Sequence, residues 1–439
     1  FLREVVGVLP PLNDHLPLWC TWSNFGSDIT AADLNNMADV AQQAGFKGLQ
    51  IDAGWAQNRN SKLGNWASNS RPDSFKFENF AATTNYIKQK GLKLGLWVSD
   101  YRDPQIAPDF KALPDAAALP LVYREDGLAM SFTSRWKYYY ANDILYLRDV
   151  YGVTYFKQDL TAIKYGDISA SHESRTHKES LLRGLRGLLE VESYLVQKAP
   201  DVVNQLTHEI YWGTPGVPCD IAALKSSTAF HIPPNDYSGT GHPKKRYSPD
   251  LGYNPDSLRQ KLIEGCFNAR QRLYEYRGLP LYPIEYYGAA TFNFKGSLTK
   301  KVQQRQVCSW LLGALNIFAG DLASLTSENI TNYRTYFNMV NELNKKYNIY
   351  NYFQFSGVPA PTDTDWHWWG KLNGQGFGAV VVLRGSKGLP TRPINIPWVS
   401  PTEYYKVYSR FSGKNMGIYT GQQLIDGKLK ISLSVYGQE

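Results

Sequence analysis

Short apolar runs alternate with amphipathic stretches along the first three-quarters of the chain, and at three places a glycine joins the two. Ala44-Gly45-Phe46, Lys90-Gly91-Leu92 and Tyr151-Gly152-Val153 each connect the end of an amphipathic stretch to the start of an apolar run. Glycine is favoured just after a helix because it adopts the left-handed backbone conformation without a steric cost. Repeated strand and helix units with short connections predict a parallel sheet closed by crossover helices. At this chain length we expect a (β/α)8 TIM barrel rather than an open sheet.

The apolar runs and amphipathic stretches give bounds for the predicted elements. The residues 230–254 are rich in Pro, Gly, Asn, Asp and Ser, which predicts a long ordered loop over one face of the barrel. Thr30 is a predicted helix cap. Predicted helices cover 31–44, 80–90, 134–151, 179–197 and 255–276. Predicted barrel strands cover 18–22, 46–52, 92–98, 153–159, 202–206, 217–222, 281–286 and 315–318.

The helical periodicity ends near Asn351. Beyond it, short alternating runs separated by Gly, Pro and Asn predict antiparallel strands at 376–384, 404–411 and 428–436. We therefore predict two domains, a catalytic barrel over 1–351 and a small C-terminal antiparallel β-sandwich over 352–439.

Composition and charge narrow the class of partner. The chain of 439 residues carries a formal charge of +8, but its acidic and basic residues are interspersed, whereas nucleic-acid binding needs a clustered basic patch. No apolar run reaches the roughly 18 residues that a membrane helix needs. Tyrosine and tryptophan, at 30 and 12 residues, suit stacking on sugar rings, although protein cores use them too. We expect a carbohydrate partner, with no nucleic acid and no membrane, and leave the oligomeric state open.

The cysteines and histidines do not show a metal-binding pattern. Cys20, Cys219, Cys266 and Cys308 are far apart, and the chain contains neither a CxxC nor an HExxH motif. We therefore expect no metal and no cofactor, while one or two disulfides are compatible with an oxidising compartment. The chain begins at Phe1 without a methionine, which indicates a processed or trimmed product, and we expect a secreted or periplasmic protein.

The most informative chemistry lies at the end of the fourth predicted strand. The apolar run 153–156 is followed by Lys157, one spacer residue and Asp159. Residues two apart on a strand point to the same side, so an ammonium group would lie beside a carboxylate at the barrel mouth. Such a cation favours the ionised carboxylate, which is the form that a nucleophile needs.

Acidic and aromatic residues recur at the ends of the other predicted strands, where the chemistry of this fold is found. A single strand-end aspartate is usually a helix cap or a loop hydrogen-bonder, but several on one rim suit glycoside hydrolysis, which needs two carboxyl groups. The strand-end residues are Trp22, Asp52, Trp55, Trp97, Asp100, Lys157, Asp159, Glu209 and Asp220.

Three of these strand ends resemble one known family. Ile51-Asp52-Ala53-Gly54-Trp55, Gly91-Leu92-Lys93-Leu94-Gly95-Leu96-Trp97 and Phe156-Lys157-Gln158-Asp159 are similar, in order and spacing, to strands two, three and four of the bacterial-type α-galactosidases of glycoside hydrolase clan D, the melibiase-like family. The resemblance covers about 15–330. It implies a retaining exo-acting hydrolase of terminal α-galactose or a related sugar, with Asp159 as the nucleophile. The substrate-binding residues it implies are Trp22, Asp52, Trp55, Trp97, Asp100, Lys157 and Glu209.

The resemblance also implies an acid/base carboxyl at the end of strand six, for which three residues are candidates. Asp220 is the first choice because it lies 61 residues after Asp159, near the roughly sixty that the resemblance implies, and follows the apolar turn Gly216-Val217-Pro218-Cys219, although it could instead cap a following helix. Asp236, in the long loop, is the second choice, and Glu209 is the third because strand five usually supplies binding residues.

Two departures from the family pattern leave the exact sugar open. Ala53 stands where a second acid is usual on strand two, and Thr207-His208-Glu209 replaces the glycine-rich, cysteine-containing motif of strand five. Two other functions use the same scaffold. A galactosyl transferase would pass the sugar to an acceptor hydroxyl, and a catalytically silent carbohydrate-binding barrel would lack the acid/base carboxyl.

Overall fold

Parallel strands close into a barrel in the computed structural model of the protein, and each strand is followed along the chain by a helix on the outside of the barrel. The strands β1 to β8 pair in chain order, and β8 pairs back onto β1, which confirms the predicted (β/α)8 barrel. These strands are β1 (Leu18–Cys20), β2 (Gly48–Ile51), β3 (Lys93–Ser99), β4 (Val153–Asp159), β5 (Val203–Thr207), β6 (Ala229–Ile232), β7 (Ile284–Ala290) and β8 (Ile317–Ala319). The structure describes residues 2–10, 12–56, 72–99, 121–124, 127–130, 132–133, 136–159, 174–207, 221–232, 254–315, 317–355 and 364–434.

The helices begin and end where the chain provides caps. Thr30 and Asp33 form a reciprocal capping box at the start of α1, and Gly45 ends that helix with a left-handed φ of 86°. Asn254 caps α6, which has a proline in its first turn. The described helices of six or more residues are α1 (Ala31–Ala44), α2 (Phe80–Gln89), α3 (Trp136–Tyr151), α4 (His177–Lys198), α5 (Ile221–Ser226), α6 (Pro255–Glu275), α7 (Lys300–Trp310) and α8 (Ser327–Tyr347), and two shorter ones are Trp22–Phe25 and Gly421–Ile425.

The prediction of the sixth strand is wrong. Residues 221–226, at the end of the predicted strand, form the helix α5, and the sixth strand is Ala229–Ile232. Ala222, Ala223 and Leu224 are strong helix formers, whereas β6 consists of Ala-Phe-His-Ile, with an aromatic and a β-branched residue. Two prolines directly follow β6 and favour a loop, so the sequence pattern places most of this strand in the predicted loop 230–254. The other strands lie within a few residues of their predicted positions.

The C-terminal part is antiparallel, as predicted. Trp369 and Val381 belong to the same buried cluster as the barrel strands, so one small sheet packs on the barrel. The predicted boundary between 351 and 352 stays a prediction. The described strands are β9 (Gln354–Phe355), β10 (His367–Leu372), β11 (Gly378–Leu383), β12 (Thr391–Ile394), β13 (Tyr404–Tyr408), β14 (Asn415–Thr420) and β15 (Leu429–Ser432), paired as β9-β10-β11, β12-β15 and β13-β14.

Three of the four cysteines lie in the described parts of the chain. Cys20, Cys266 and Cys308 are buried, and Cys219 lies outside the described residues. Among the helices described, none is long and apolar enough to span a membrane.

Candidate active site at the mouth of the barrel

Lys157 lies between two carboxylates at the C-terminal end of the barrel. Its Nζ is 3.2 Å from Asp52 Oδ2 and 3.3 Å from Asp159 Oδ2. Asp52 directly follows β2. Lys157 and Asp159 are alternate residues of β4, so these two side chains face the barrel interior. The predicted meeting of ammonium and carboxylate is therefore present, and a second carboxylate shares the cation.

The charge of Lys157 is maintained by these two neighbours. Burial by itself lowers the pKa of this lysine, but Asp159 and then Asp52 raise it, and the net pKa lies well above the ordinary value. Lys157 is 8% exposed, so solvent screens these interactions little. The lysine therefore stays a cation at any pH at which an enzyme would work.

Two further donors orient Asp159. The indole Nε1 of Trp97 donates to Asp159 Oδ2 at 2.9 Å, and Thr207 Oγ1 donates to Asp159 Oδ1 at 3.4 Å. Trp97 comes from β3 and Thr207 from the end of β5, so neighbouring strands on both sides of β4 hold the carboxylate. The Asp159 side chain keeps 16% of its surface exposed, which leaves it accessible from the barrel mouth.

Asp52 is held more tightly than Asp159 and is 2% exposed. Its Oδ2 accepts from Cys20 Sγ at 3.3 Å and from Gln50 Nε2 at 3.4 Å, in addition to Lys157. Its Oδ1 accepts from the backbone N–H of Ala53 at 2.8 Å. A carboxylate has about four acceptor sites, so this network occupies most of its capacity. The predicted contact between Asp52 and sugar hydroxyls stays a prediction.

The predicted aromatic wall consists of residues with different environments. Trp55 has 0% exposure, stacks on Phe80 with ring centroids 5.5 Å apart, and donates its indole N–H to the carbonyl of Trp97 at 2.7 Å. The Trp55 ring therefore packs between β2 and α2 and offers a ligand no exposed face, contrary to the expectation of a pocket wall. Trp97 orients Asp159, and Trp22 is partly buried in the turn after β1.

The structure also adds residues to the site that the sequence alone did not single out. The aromatic ring of Tyr287, on β7, lies 5.6 Å from Lys157 Nζ, and its hydroxyl is 2.6 Å from Ser23 Oγ. Thr207 could have been found from its place at the end of β5, but Cys20 and Gln50 look like ordinary strand residues. Four predicted site residues, Asp100, Glu209, Asp220 and Asp236, lie outside the described residues.

A cluster of at least three potential metal ligands does not occur in the described parts of the chain. The donors around Asp159 are an ammonium group, an indole N–H and a hydroxyl, and the first two repel a cation. This arrangement suits acid–base and nucleophilic chemistry on a neutral ligand.

The first part of the chain matches a known family model. Residues 13–118 match the family model Melibiase. The resemblance seen in the strand motifs is confirmed. The matched residues include the Asp52 and Trp97 motifs and end before the strand that carries Lys157 and Asp159. A search of the curated proteins finds no match to this chain.

Solved structures share the fold of this protein at low sequence identity. The α-galactosidase from Lactobacillus brevis superposes with a TM-score of 0.65 at 15% identity, covering 96% of this chain and 53% of that one. The GH36 α-galactosidase AgaA from Geobacillus stearothermophilus gives a TM-score of 0.64 at 14% identity, covering 95% and 53%. A putative α-galactosidase from Bacteroides fragilis gives 0.55 at 13% identity, covering 98% and 78%. This chain spans about half the length of the first two.

Proposed function

We propose that this chain carries the catalytic site of a retaining, exo-acting glycoside hydrolase that releases α-galactose or a closely related sugar. The observation that carries the proposal is the environment of Asp159, an accessible carboxylate at the end of β4 with Lys157 and Trp97 as donors to one oxygen. The Melibiase match and the shared fold of the α-galactosidases support the choice of sugar.

In the proposed mechanism Asp159 attacks the anomeric carbon and forms a covalent glycosyl-aspartate. Lys157 and Trp97 contact Oδ2, whereas Oδ1 has the longer contact to Thr207, so we assign Oδ1 as the attacking oxygen. The cation and the indole N–H stabilise the ionised form of Asp159 and fix its direction before the sugar arrives. The bond from carbon to the leaving oxygen breaks as that oxygen takes a proton from a second carboxylic acid.

We assign the acid/base role to Asp236, which changes the order of the candidates. The resemblance implies an acid at the end of strand six, and the spacing from Asp159 favours Asp220. Because β6 is Ala229–Ile232, the first acidic residue after its end is Asp236, four positions on, whereas Asp220 directly precedes α5. The same group would then take a proton from the water that releases the sugar from Asp159.

The substrate class follows from the relatives. AgaA from Geobacillus stearothermophilus has been crystallised in complex with raffinose and with stachyose, both as variants of that enzyme. We propose that the present chain also binds oligosaccharides, and that the barrel mouth takes their terminal sugar.

Hydrolysis of an aryl α-galactoside tests the proposal. We expect the wild type to release the phenol and Asp159→Ala to lose at least about 1,000-fold in kcat/KM, because the glycosyl-enzyme can no longer form. Asp236→Ala should be rescued by azide, with a glycosyl azide of retained configuration as the product. Asp220→Ala serves as the matched control and should keep its activity.

Each outcome has a definite reading. An inactive wild type on aryl α-galactosides would remove galactose as the sugar, and activity on another aryl glycoside would replace it. Azide rescue of Asp220→Ala rather than Asp236→Ala would return the acid/base role to Asp220. Full activity of Asp159→Ala would overturn the assignment of the nucleophile.

A further inference from the structure

A second polar cluster lies inside the barrel, and the proposed mechanism does not use it. Glu285 on β7 accepts a hydrogen bond from Tyr155 at 2.6 Å and one from Gln205, both at Oε2. Its other oxygen, Oε1, is 3.4 Å from Nε2 of His15. All four side chains are buried, with at most 3% exposure. The carboxyl group of Glu285 thus links β4, β5 and the turn before β1.

Such a cluster is unusual in the interior of this fold. The barrel interior is normally filled by layers of branched apolar side chains. A buried ionisable group costs desolvation energy, and an apolar layer of similar volume is often at least as stable. Gly95 on β3 makes room for it, since a Cβ there would lie 3.2 Å from the Tyr155 ring. Stability by itself therefore does not account for this cluster.

The cluster lies one layer beneath the residues that surround Asp159. Alternate residues on a strand face the same side, about 6.8 Å apart, so each member lies beneath the residue two positions later. Tyr155 lies beneath Lys157 on β4, and Gln205 lies beneath Thr207 on β5. Glu285 itself lies beneath Tyr287 on β7. Every strand that reaches Glu285 from the barrel wall thus carries a residue that contacts Asp159 or Lys157.

The two layers are also connected electrostatically. Burial, then Glu285, raises the pKa of Tyr155 well above its ordinary value, so this phenol remains a hydrogen-bond donor. Cys20 lies between the layers: it interacts with Tyr155 and donates to Asp52. Polar groups are therefore continuous from His15 at the start of β1 to Asp159 at the mouth.

We propose that Glu285 is a positioning residue for the nucleophile. By binding Tyr155 and Gln205, it sets the height of β4 and β5 relative to each other and so fixes Lys157 and Thr207 around Asp159. This inference rests on the proposed role of Asp159 as the nucleophile.

The test compares Glu285→Gln with a matched control, a buried carboxyl group on helix α4 outside the barrel. Glu192→Gln removes a buried carboxyl that packs against the outward-facing Gln158. For Glu285→Gln we expect kcat on an aryl α-galactoside to fall about 10- to 100-fold with KM within about twofold. Glu192→Gln should change neither.

A second variant removes the hydrogen-bond donor instead of the carboxyl group. Tyr155→Phe keeps the Glu285 carboxyl but loses the hydroxyl that binds it, so kcat should fall while KM stays within about twofold. The same variant decides the question if Glu285→Gln does not fold. Wild-type kcat in both variants, or in whichever of them folds, would overturn the proposal.

Crystallography makes the inference independent of the sugar. The distance from Lys157 Nζ to Asp159 should change in crystals of Glu285→Gln relative to the wild type, and unchanged positions of Lys157, Thr207 and Asp159 would overturn the proposal. An inactive wild type together with a displaced Lys157 would reject the proposed function and retain the positioning role.

Discussion

Two buried lysines in this molecule have opposite charge preferences. Lys157, inside the barrel, lies between Asp52 and Asp159, and although burial lowers its pKa, these neighbours bring it well above the ordinary value. Lys371, on β10, has 0% exposure and donates to the carbonyls of Leu312 and Gly313 at 3.0 and 2.8 Å. Burial lowers its pKa well below the ordinary value. The same side chain thus favours the charged form in one region and the neutral form in the other.

The buried carboxyl groups show the same contrast across the strand β4. Asp159, on its inner face, meets an ammonium group and an indole N–H. Glu192, on α4, packs against the outer face, where Gln158 is its polar neighbour, and burial raises its pKa to about 8. Partners, rather than depth, decide the charge of a buried group.

Removing the cation from the barrel should have the largest effect. In Lys157→Met, Asp52 and Asp159 lose the ammonium group that they share, and one carboxyl should take up a proton. We expect kcat/KM on an aryl α-galactoside to fall about 1,000-fold, and the acid limb of its pH profile to move upward. Lys371→Met, which removes a buried lysine outside the barrel, is the control and should keep full activity. An unchanged acid limb in Lys157→Met would show that the lysine does not control the ionisation of Asp159.

Much of the barrel and of the site follows from local sequence. The caps at Thr30 and Gly45 and the apolar runs were enough to predict most elements, because helix ends and buried strands are specified by neighbouring residues. The i, i+2 spacing on β4 was likewise enough to bring Lys157 to Asp159. The prediction of the sixth strand failed because residues 221–224 are apolar enough for a strand and also favour a helix.

The remaining parts of the site depend on contacts between distant residues. Tyr155 and Glu285 are separated by 130 positions, and His15 and Glu285 by 270, so no local pattern predicts that they meet. An acidic residue inside the apolar run of β7 was the available signal for Glu285. The burial of Trp55 depends on the packing of Phe80, which the strand-end position of Trp55 does not reveal.

The next effect concerns stability on the outer face of β4. Glu192 has an ordinary pKa of 4.5, raised to about 8 in the folded protein, so the folded state holds a proton that the unfolded state releases. Stability should therefore fall as the pH rises between these values. Glu192→Gln lacks this dependence. We therefore expect the free energy of unfolding of the variant, relative to that of the wild type, to increase by about 3 kcal/mol between pH 5 and pH 8. Urea titrations at intervals of pH measure the difference, and parallel curves for the two proteins would contradict it.

The smallest effect is expected at Lys371, and its sign is opposite. Because the folded pKa lies below the ordinary 10.5, the unfolded state binds more protons in the interval between them, and wild-type stability should rise with pH there. At pH 7, Lys371→Met loses two hydrogen bonds to carbonyls but no longer buries a polar nitrogen, so we expect a change within about 1 kcal/mol. As the pH rises from the lowered pKa of Lys371 towards 10.5, the variant should become less stable relative to the wild type, as measured by urea unfolding. A wild type that instead lost stability relative to the variant would show that Lys371 is held as a cation, and the contrast with Lys157 would disappear.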